Sequence, residues 1–335
     1  MRIFNKDTSK DVIVIAEIGI NHGGSVKWIL DMLPRIKASG ADAVKFQLFT
    51  PDLYSSRSNT SRHAQISSFY LSEADFLQIK KACDSLNLAV FATPLSHDWV
   101  KFIAATCGVI KIASGDFTFS PTLESALNSS AKLIVSSGAT SRDEVKEFVK
   151  LAKLLRPGEK YFESIAMLHC ISSYPPPISE SNLSGIADLR EMTELTIGFS
   201  SHFLEDAPIY TAIGLGCKIF EIHVTDNRAR QDVRDHALSR TPEELRIIIS
   251  TLNELSESLS SGFKDLQKSE ITSLNNLRKG VVYSKKLYAG HTLVKNDFTY
   301  ARPFNPEVPN FTLAEGRILR KDVEPYFTVL KDDFE

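Results

Sequence analysis

Apolar residues along this chain fall into two alternating rhythms. Short runs rich in Val, Ile and Phe recur at "VIVIAEIG" (12–19), "AVKFQLF" (43–49), "AVFATP" (89–94) and "VIKIAS" (109–114), then at "KLIVSSG" (132–138), "IAMLHC" (165–170), "LTIGFSS" (195–201) and "KIFEIHV" (218–224). Their length and β-branched content predict strands. Between them lie longer stretches with apolar positions three and four apart, such as "WILDMLPRIKASG", "SEADFLQIKKACDSLN", "SRDEVKEFVKLAKLL" and "EDAPIYTAIGLG". That spacing gives a helix one apolar face. Ser72 with Asp75 and Ser141 with Glu144 have the spacing of serine–acid helix starts. Gly40 and Gly216 stand where helices end. Eight strand–helix alternations over roughly 260 residues predict a (β/α)8 TIM barrel. An open doubly wound sheet is the alternative, but no GxGxxG follows the first strand and no P-loop occurs. The helical "TPEELRIIISTLNELSESL" (241–259) would close the barrel. The predicted layout is therefore a barrel over 1–262, a polar linker over 263–277 and a small β-rich domain over 278–335. In the last, short runs are broken by Gly290, Pro303 and Pro306. No repeat of 20–50 residues stands out beyond the β/α alternation.

Composition narrows the function. Charged residues make up 24% of the chain and its net charge is −2, with Lys and Arg spread evenly, which argues against a nucleic-acid surface. No apolar run approaches the ~18 residues of a membrane span. The start, polar and then apolar as far as Ala16 and Glu17, predicts a strand and not a secretion signal. Four scattered cysteines without a CxxC predict packing roles in a reducing cytoplasm.

Active sites of such barrels lie at the C-terminal ends of the strands. Polar residues collect there: Glu17 with Asn21 and His22, Lys45 and Gln47, Thr93, Lys111 and Ser114 with Asp116 behind them, Ser136, and His169 leading to Ser172, Ser173 and Tyr174. The last two strands bring Ser200 and His202, and Glu221 and His223. An unpaired lysine inside a β-run is costly, so Lys45 and Lys111 point to an anion. Hydroxyls add hydrogen bonds without opposing charge. His202 and His223 close adjacent strands, and two imidazoles there suit a divalent transition metal. A cradle beside a metal suggests a phosphorylated substrate and a carbonyl to be polarised.

The strings "IAEIGINHGGS", "ADAVKFQLF", "KIASGD", "LHCISSYP", "GFSSH" and "EIHVTD…DHALS" resemble, in order and spacing, the sialic acid synthase family. The C-terminal "RKGVVYSKKLYAGHTLVKNDFTYARPF" resembles its antifreeze-like (SAF) domain. The resemblance implies condensation of phosphoenolpyruvate with an N-acetylated hexosamine, such as N-acetylmannosamine or a 2,4-diacetamido-trideoxyhexose, to a nine-carbon 2-keto acid and phosphate. It implies a metal, usually Mn2+ with Mg2+ or Co2+ as substitutes, on His202 and His223. Lys45, Thr93, Lys111, Ser114, Ser136 and Ser200 would hold phosphoenolpyruvate. Glu17 would contact the sugar aldehyde, and Gln47, Tyr174 and Asp235 would line the sugar site. Arg302 would reach the N-acetyl group across a domain-swapped homodimer.

The chain departs from the family at four places. Asp116 replaces a Glu that positions water. Ser173 replaces an Asn on the phosphate, and Ser201 replaces an Asp. The segment from His223 to Asp235 is one residue longer and lacks a Gly-Pro. These departures admit a different sugar, or a sugar-binding homologue with impaired catalysis. A lysine Schiff-base aldolase acting on a 2-keto acid, with Lys45 or Lys111 as nucleophile, is the other enzyme alternative.

Overall fold

The computed structural model describes residues 1–259 and 264–335, so the expected barrel–linker junction at 262 and 263 lies outside the described residues. Two compact units divide between Ser260 and Ser261. The first opens with a hairpin of β1 (Arg2–Ile3) and β2 (Lys6–Asp7). There follow β3 (Ile13–Gly19), α1 (Val26–Ala38), β4 (Ala43–Leu48), α2 (Pro51–Tyr54), α3 (Thr60–Ser68), α4 (Glu73–Ser85), β5 (Ala89–Pro94), α5 (Val100–Cys107), β6 (Val109–Ile112) and α6 (Ser120–Asn128). Then come β7 (Lys132–Ser136), α7 (Arg142–Leu155), α8 (Glu159–Ser164), β8 (Ile165–Cys170), α9 (Gly185–Thr193), β9 (Thr196–Ser201), α10 (Ala207–Gly214), β10 (Ile219–His223) and α11 (Pro242–Ser258). Strands β3 to β10 pair in parallel, in sequence order, and β10 closes back onto β3. The expected eight-stranded barrel is what forms. No helix among the described residues is long and apolar enough to cross a membrane.

The helix starts follow from local chemistry. Ser72 and Asp75, and Ser141 and Glu144, form reciprocal capping boxes, each satisfying two backbone N–H groups that the first helical turn leaves unpaired. Gly40 and Gly216 take φ of +91° and +88° just past α1 and α10, a conformation only glycine enters freely.

Both faces of every barrel strand are buried, so the runs read as nearly continuous apolar sequence. The alternation sorts them all the same. Val14, Ala16 and Ile18 of β3, and Phe220 and Ile222 of β10, pack with the helices in one large core. Ile13, Ile15, Ala43, Phe91, Val109, Ile134, Ala166, Leu168 and Ile219 point inward and fill the lower barrel. Ile3 of the N-terminal hairpin joins this inner cluster, and the Phe4 ring lies 5.2 Å from that of Phe91. The hairpin, which the polar start concealed, thus plugs the barrel floor.

The second unit is less β-rich than expected. The described part of the predicted linker carries two short helices, α12 (Lys268–Ile271) and α13 (Leu274–Leu277), because Gln267 and Glu270 cap a turn that polar composition does not forbid. Beyond it, β11 (Gly280–Tyr283) pairs with β12 (Phe298–Ala301), and the other contacts between extended segments are single bridges. Asp297 and Asp333 are buried, each closing a 3-10 turn by accepting from the N–H of Val294 or Leu330. The segments "VKND" and "LKDD" are thus one structural device used twice, a repeat too short to stand out in the sequence.

Candidate active site

Continuing each inward alternation upward replaces apolar residues by polar ones. Above Ile13 and Ile15 comes Glu17; above Ala43, Lys45 and Gln47; above Phe91, Thr93; above Val109, Lys111; above Ile134, Ser136. On β10, Glu221 and His223 follow Ile219. These groups, with Ala113, Ser114, Cys170, Tyr174, Ser200 and His202, wall a cavity of about 50 Å3.

The lysines are locked in place. Lys45 Nζ donates to Thr93 Oγ1 at 2.9 Å and pairs with Glu17 at 3.0 Å and Glu221 at 3.7 Å. Lys111 Nζ donates to Ser136 Oγ at 2.6 Å and to the Ile112 carbonyl at 3.0 Å. Ser200 Oγ donates to Glu221 Oε1 at 3.1 Å, and Gln47 Nε2 to Glu17 Oε1 at 3.2 Å. The two carboxylates differ. Burial raises both, but Glu221 faces Lys111 as well as Lys45 and is held down to about 2. Glu17 is pushed up to about 7, because burial and the Glu221 charge outweigh Lys45. Burial lowers Lys111, while Lys45, despite its burial, is raised by its two acids. Near neutral pH the site therefore offers Lys45 as a firm cation, Glu221 as a firm anion, a second lysine whose charge burial opposes, and one carboxyl able to hold or release a proton.

His202 and His223 lie next to this cradle, with ring centres 5.3 Å apart. His202 Nδ1 sits 2.8 Å from the Ile171 carbonyl, which can only accept, so Nδ1 carries a proton and Nε2 is the nitrogen through which the neutral ring would bind a metal. His223 Nδ1 is buried without a partner, and burial pushes that ring down to about 4, which keeps it neutral. Metal–imidazole bonds of about 2 Å would let rings this close share one ion. Among the described residues no group of three or more His, Cys, Asp or Glu side chains is placed to enclose an ion. The donor set fits a metal held by two imidazoles with positions left for substrate oxygens, and not an enclosed structural metal.

Eleven of the expected residues thus line one cavity: Glu17, Lys45, Gln47, Thr93, Lys111, Ser114, Ser136, Tyr174, Ser200, His202 and His223. Asp116, Ser173 and Asp235 are not among its walls. Asp116 ends the 3-10 turn Ser114–Asp116, where burial raises its carboxyl against the pull of Lys111. Ser173 Oγ donates to the Pro175 carbonyl at 3.4 Å. Asp235 is buried at the start of the turn Arg234–Leu238, and its charge acts on His223. Arg302 belongs to the second unit, where its Nε donates to the Leu277 carbonyl at 2.6 Å. Ser201 alternates to the outer face of β9 with Ile197 and Phe199, so its replacement of Asp does not alter the cavity wall. His169 also points outward; its Nε2 meets the Ser181 carbonyl at 2.9 Å. Two residues acquire a role that the sequence reading did not assign. Glu221, already placed at its strand end with His223, turns out to pair with Lys45 and to accept from Ser200. Cys170, expected to be packing, borders the cavity with Sγ 3.7 Å from His202 Nδ1.

Comparison with known proteins decides the lineage. Residues 32–264 match the sequence model of the NeuB family. The chain belongs to the NeuB family. It is 30% identical to an uncharacterised protein of Methanocaldococcus jannaschii, over 96% of this chain and 94% of that one. It is 26% identical to the N,N'-diacetyllegionaminic acid synthase of Legionella pneumophila, over 89% and 87%. Among solved structures it resembles the N-acetylneuraminic acid (sialic acid) synthetase of Leptospira borgpetersenii in complex with citrate. There the TM-score is 0.74 at 29% identity, covering 80% of this chain and 93% of that one. The named NeuB relatives are synthases of legionaminic, pseudaminic and sialic acids, so the chain is a member of an enzyme family.

Proposed function

We propose that this protein condenses phosphoenolpyruvate with an N-acetylated hexosamine to a nine-carbon 2-keto acid and phosphate. The observation that carries the reading is the buried Lys45–Thr93 and Lys111–Ser136 pairs beside two imidazoles at one end of the barrel. Lys45 and Lys111 would take the phosphate and carboxylate of phosphoenolpyruvate, with Ser114, Ser136, Ser173 and Ser200 as hydroxyl donors. Gln47, Tyr174, Asp235 and Arg302 would receive the sugar. His202 and His223 would hold a divalent metal, preferably Mn2+, which when bound polarises the sugar aldehyde as a Lewis acid.

C3 of the enol attacks the aldehyde carbon, forming the new C–C bond and an alkoxide. Glu17, a carboxyl poised near neutrality, supplies the proton that turns the alkoxide into a hydroxyl. Water, which Asp116 would position, adds to the C2 cation left by that attack; one of its protons returns to Glu17 and the other leaves on the phosphate. The resulting tetrahedral species expels phosphate and leaves the 2-keto group. The cradle's part is positioning: it holds the nucleophilic carbon at the aldehyde. The second unit would act as a SAF domain carrying Arg302 to the barrel of a partner copy in a homodimer, and sedimentation at micromolar concentration would test that assembly.

The deciding experiment incubates the protein with Mn2+, phosphoenolpyruvate and a panel of N-acetylated hexoses, reading phosphate release and product mass. Absence of phosphate release with every sugar would overturn the reading. One observation favours a second reading: burial lowers Lys111, and an unprotonated lysine is the nucleophile of a Schiff-base aldolase. Borohydride trapping with pyruvate separates the two, since a covalent adduct belongs only to the aldolase.

A further inference from the structure

The segment between β10 and α11 carries four arginines, and three of them are held by carboxylates, Arg240 by Asp206 at 2.7 Å. Arg228 pairs with Glu244 at 3.3 Å. Arg230 pairs with Asp232 at 2.6 Å and Asp226 at 3.4 Å, and lies over the Trp28 ring. Arg234 is different. Its side chain is 73% exposed, and its one charged contact is through Nε, 3.4 Å from Asp235 Oδ1. Nη1 and Nη2 have no hydrogen-bond partner among the described residues. The guanidinium carbon lies 4.5 Å from the centre of the Tyr174 ring.

Tyr174 is the link to the cavity. The His202 ring lies 4.1 Å from it, tilted by 33°, and His223 meets it edge-on at 6.4 Å. Two planar groups centred this close to one ring occupy opposite faces, because on one face they would overlap. Arg234, Tyr174 and His202 therefore form a stack. The imidazole is at the reacting end, and a guanidinium with an unused donor fork is at the outer end. The two distances together place that fork within about 9 Å of the His202 ring, while an extended six-carbon chain spans about 6 Å from first to last carbon. An acceptor with its aldehyde at the histidines reaches Arg234 with its far end.

We propose that Arg234 is a specificity-determining residue that binds an anionic group, a phosphate ester or a carboxylate, on the acceptor carbon farthest from the aldehyde. The inference rests on the condensation reading above. The chemistry is that of the fork: two parallel N–H groups match the two oxygens of a carboxylate or phosphate, and a neutral hydroxyl uses only one. Stacking on Tyr174 holds the planar group in place, so little side-chain freedom is lost on binding.

The test compares N-acetylmannosamine, its 6-phosphate and the corresponding 6-carboxylate, with wild type, R234Q and R234K. Turnover is followed by phosphate release and binding by calorimetry without phosphoenolpyruvate. Wild type should prefer at least one charged acceptor in kcat/KM by about tenfold or more, a preference of the size one charge-assisted pair supplies. Whether the ester or the carboxylate carries the preference identifies the anion. R234Q should collapse the preference to near unity, and R234K, which keeps the charge without the fork, should retain part of it. Equal losses for charged and neutral acceptors, or a change confined to the KM for phosphoenolpyruvate, would overturn the proposal. If wild type turns over no acceptor, the condensation reading falls and the binding comparison alone decides Arg234. Tighter binding of a charged sugar by wild type than by R234Q upholds it; equal binding sinks it. Melting temperatures within a degree or two of wild type would show that the variants are folded.

Discussion

Lys111 and Arg156 show two uses of a buried cation. Lys111 faces a cavity, and its partners are a hydroxyl and the carbonyl of the next residue. Replacing it by Ala removes one of the two charges proposed to hold the anion and should lower kcat/KM for phosphoenolpyruvate by about 100-fold or more. Turnover within threefold of wild type would take Lys111 out of the cradle. Arg156 serves packing instead. It is fully buried, and its guanidinium donates to the Ala126, Leu127, Ser129 and Ser164 carbonyls and to Ser164 Oγ. It fastens the end of α6 to the end of α8. Arg156→Met removes every one of these donors at once and should cost about 3–5 kcal/mol in urea unfolding. Arg156→Lys should recover little of it, because an ammonium cannot span the same acceptors. A loss below 1 kcal/mol for either variant would contradict this account.

Strands β8 to β10 place the two histidines through an unusually close approach. Gly198 lies on the inner face of β9, and a Cβ there would stand 2.3 Å from the Ile219 carbonyl oxygen and 2.5 Å from Leu168 Cδ2. The first neighbour is backbone and cannot swing aside. Gly198→Ala should therefore push β9 from β10 and cost about 1–3 kcal/mol. It should also weaken Mn2+ binding, read by electron paramagnetic resonance, because Ser200 follows on the same strand and His202 directly after its end. Unchanged stability and affinity together would show that the barrel absorbs the methyl group. At the opposite end the β1–β2 hairpin seals the floor. Ile3→Ala removes a nearly buried side chain from the inner cluster and should cost about 2–4 kcal/mol although it lies far from the site. A change under 0.5 kcal/mol would mean that the hairpin only rests on the barrel.

The charge cluster also couples the whole barrel to pH. Glu17 is raised from 4.5 to about 7 in the fold, so the folded state holds a proton that the unfolded chain has released. That contribution is fully present below about 4.5 and is lost as pH rises through 7. Glu221 runs the other way: held at about 2, it contributes above 4.5 and loses that contribution as pH falls. His22 and His223, both pushed down to about 4 by burial, likewise lose stability as pH falls below 6.5. The two histidines oppose Glu17 between pH 4.5 and 6.5, so a comparison with Glu17→Gln isolates it. The stability difference, Glu17→Gln minus wild type, should grow from pH 4.5 to 8 in metal-free protein. A pH-independent difference would show that Glu17 is not raised.

Strand periodicity and the order of helices and strands were enough to predict the barrel, because a parallel sheet buried on both faces must read as short apolar runs between amphipathic helices. The polar strand ends were legible for the same reason: a lysine such as Lys45 or Lys111 inside such a run needs a partner. Parity was legible too: it set Glu221 on one face with His223 and would have turned His169 and Ser201 outward, since alternation along a strand is a local property. Tertiary structure alone decided the rest. Register across β10, β3 and β4 sets His223 beside Glu17 and Glu17 beside Lys45. The opposite shifts of Glu17 and Glu221 come from Lys111, which reaches only one of them closely. The stack of Arg234 on Tyr174 and His202 joins three loops and strand ends distant in sequence. Local spacing specifies which face a side chain takes; charge and contact between distant segments depend on distances that exist only once the barrel has closed.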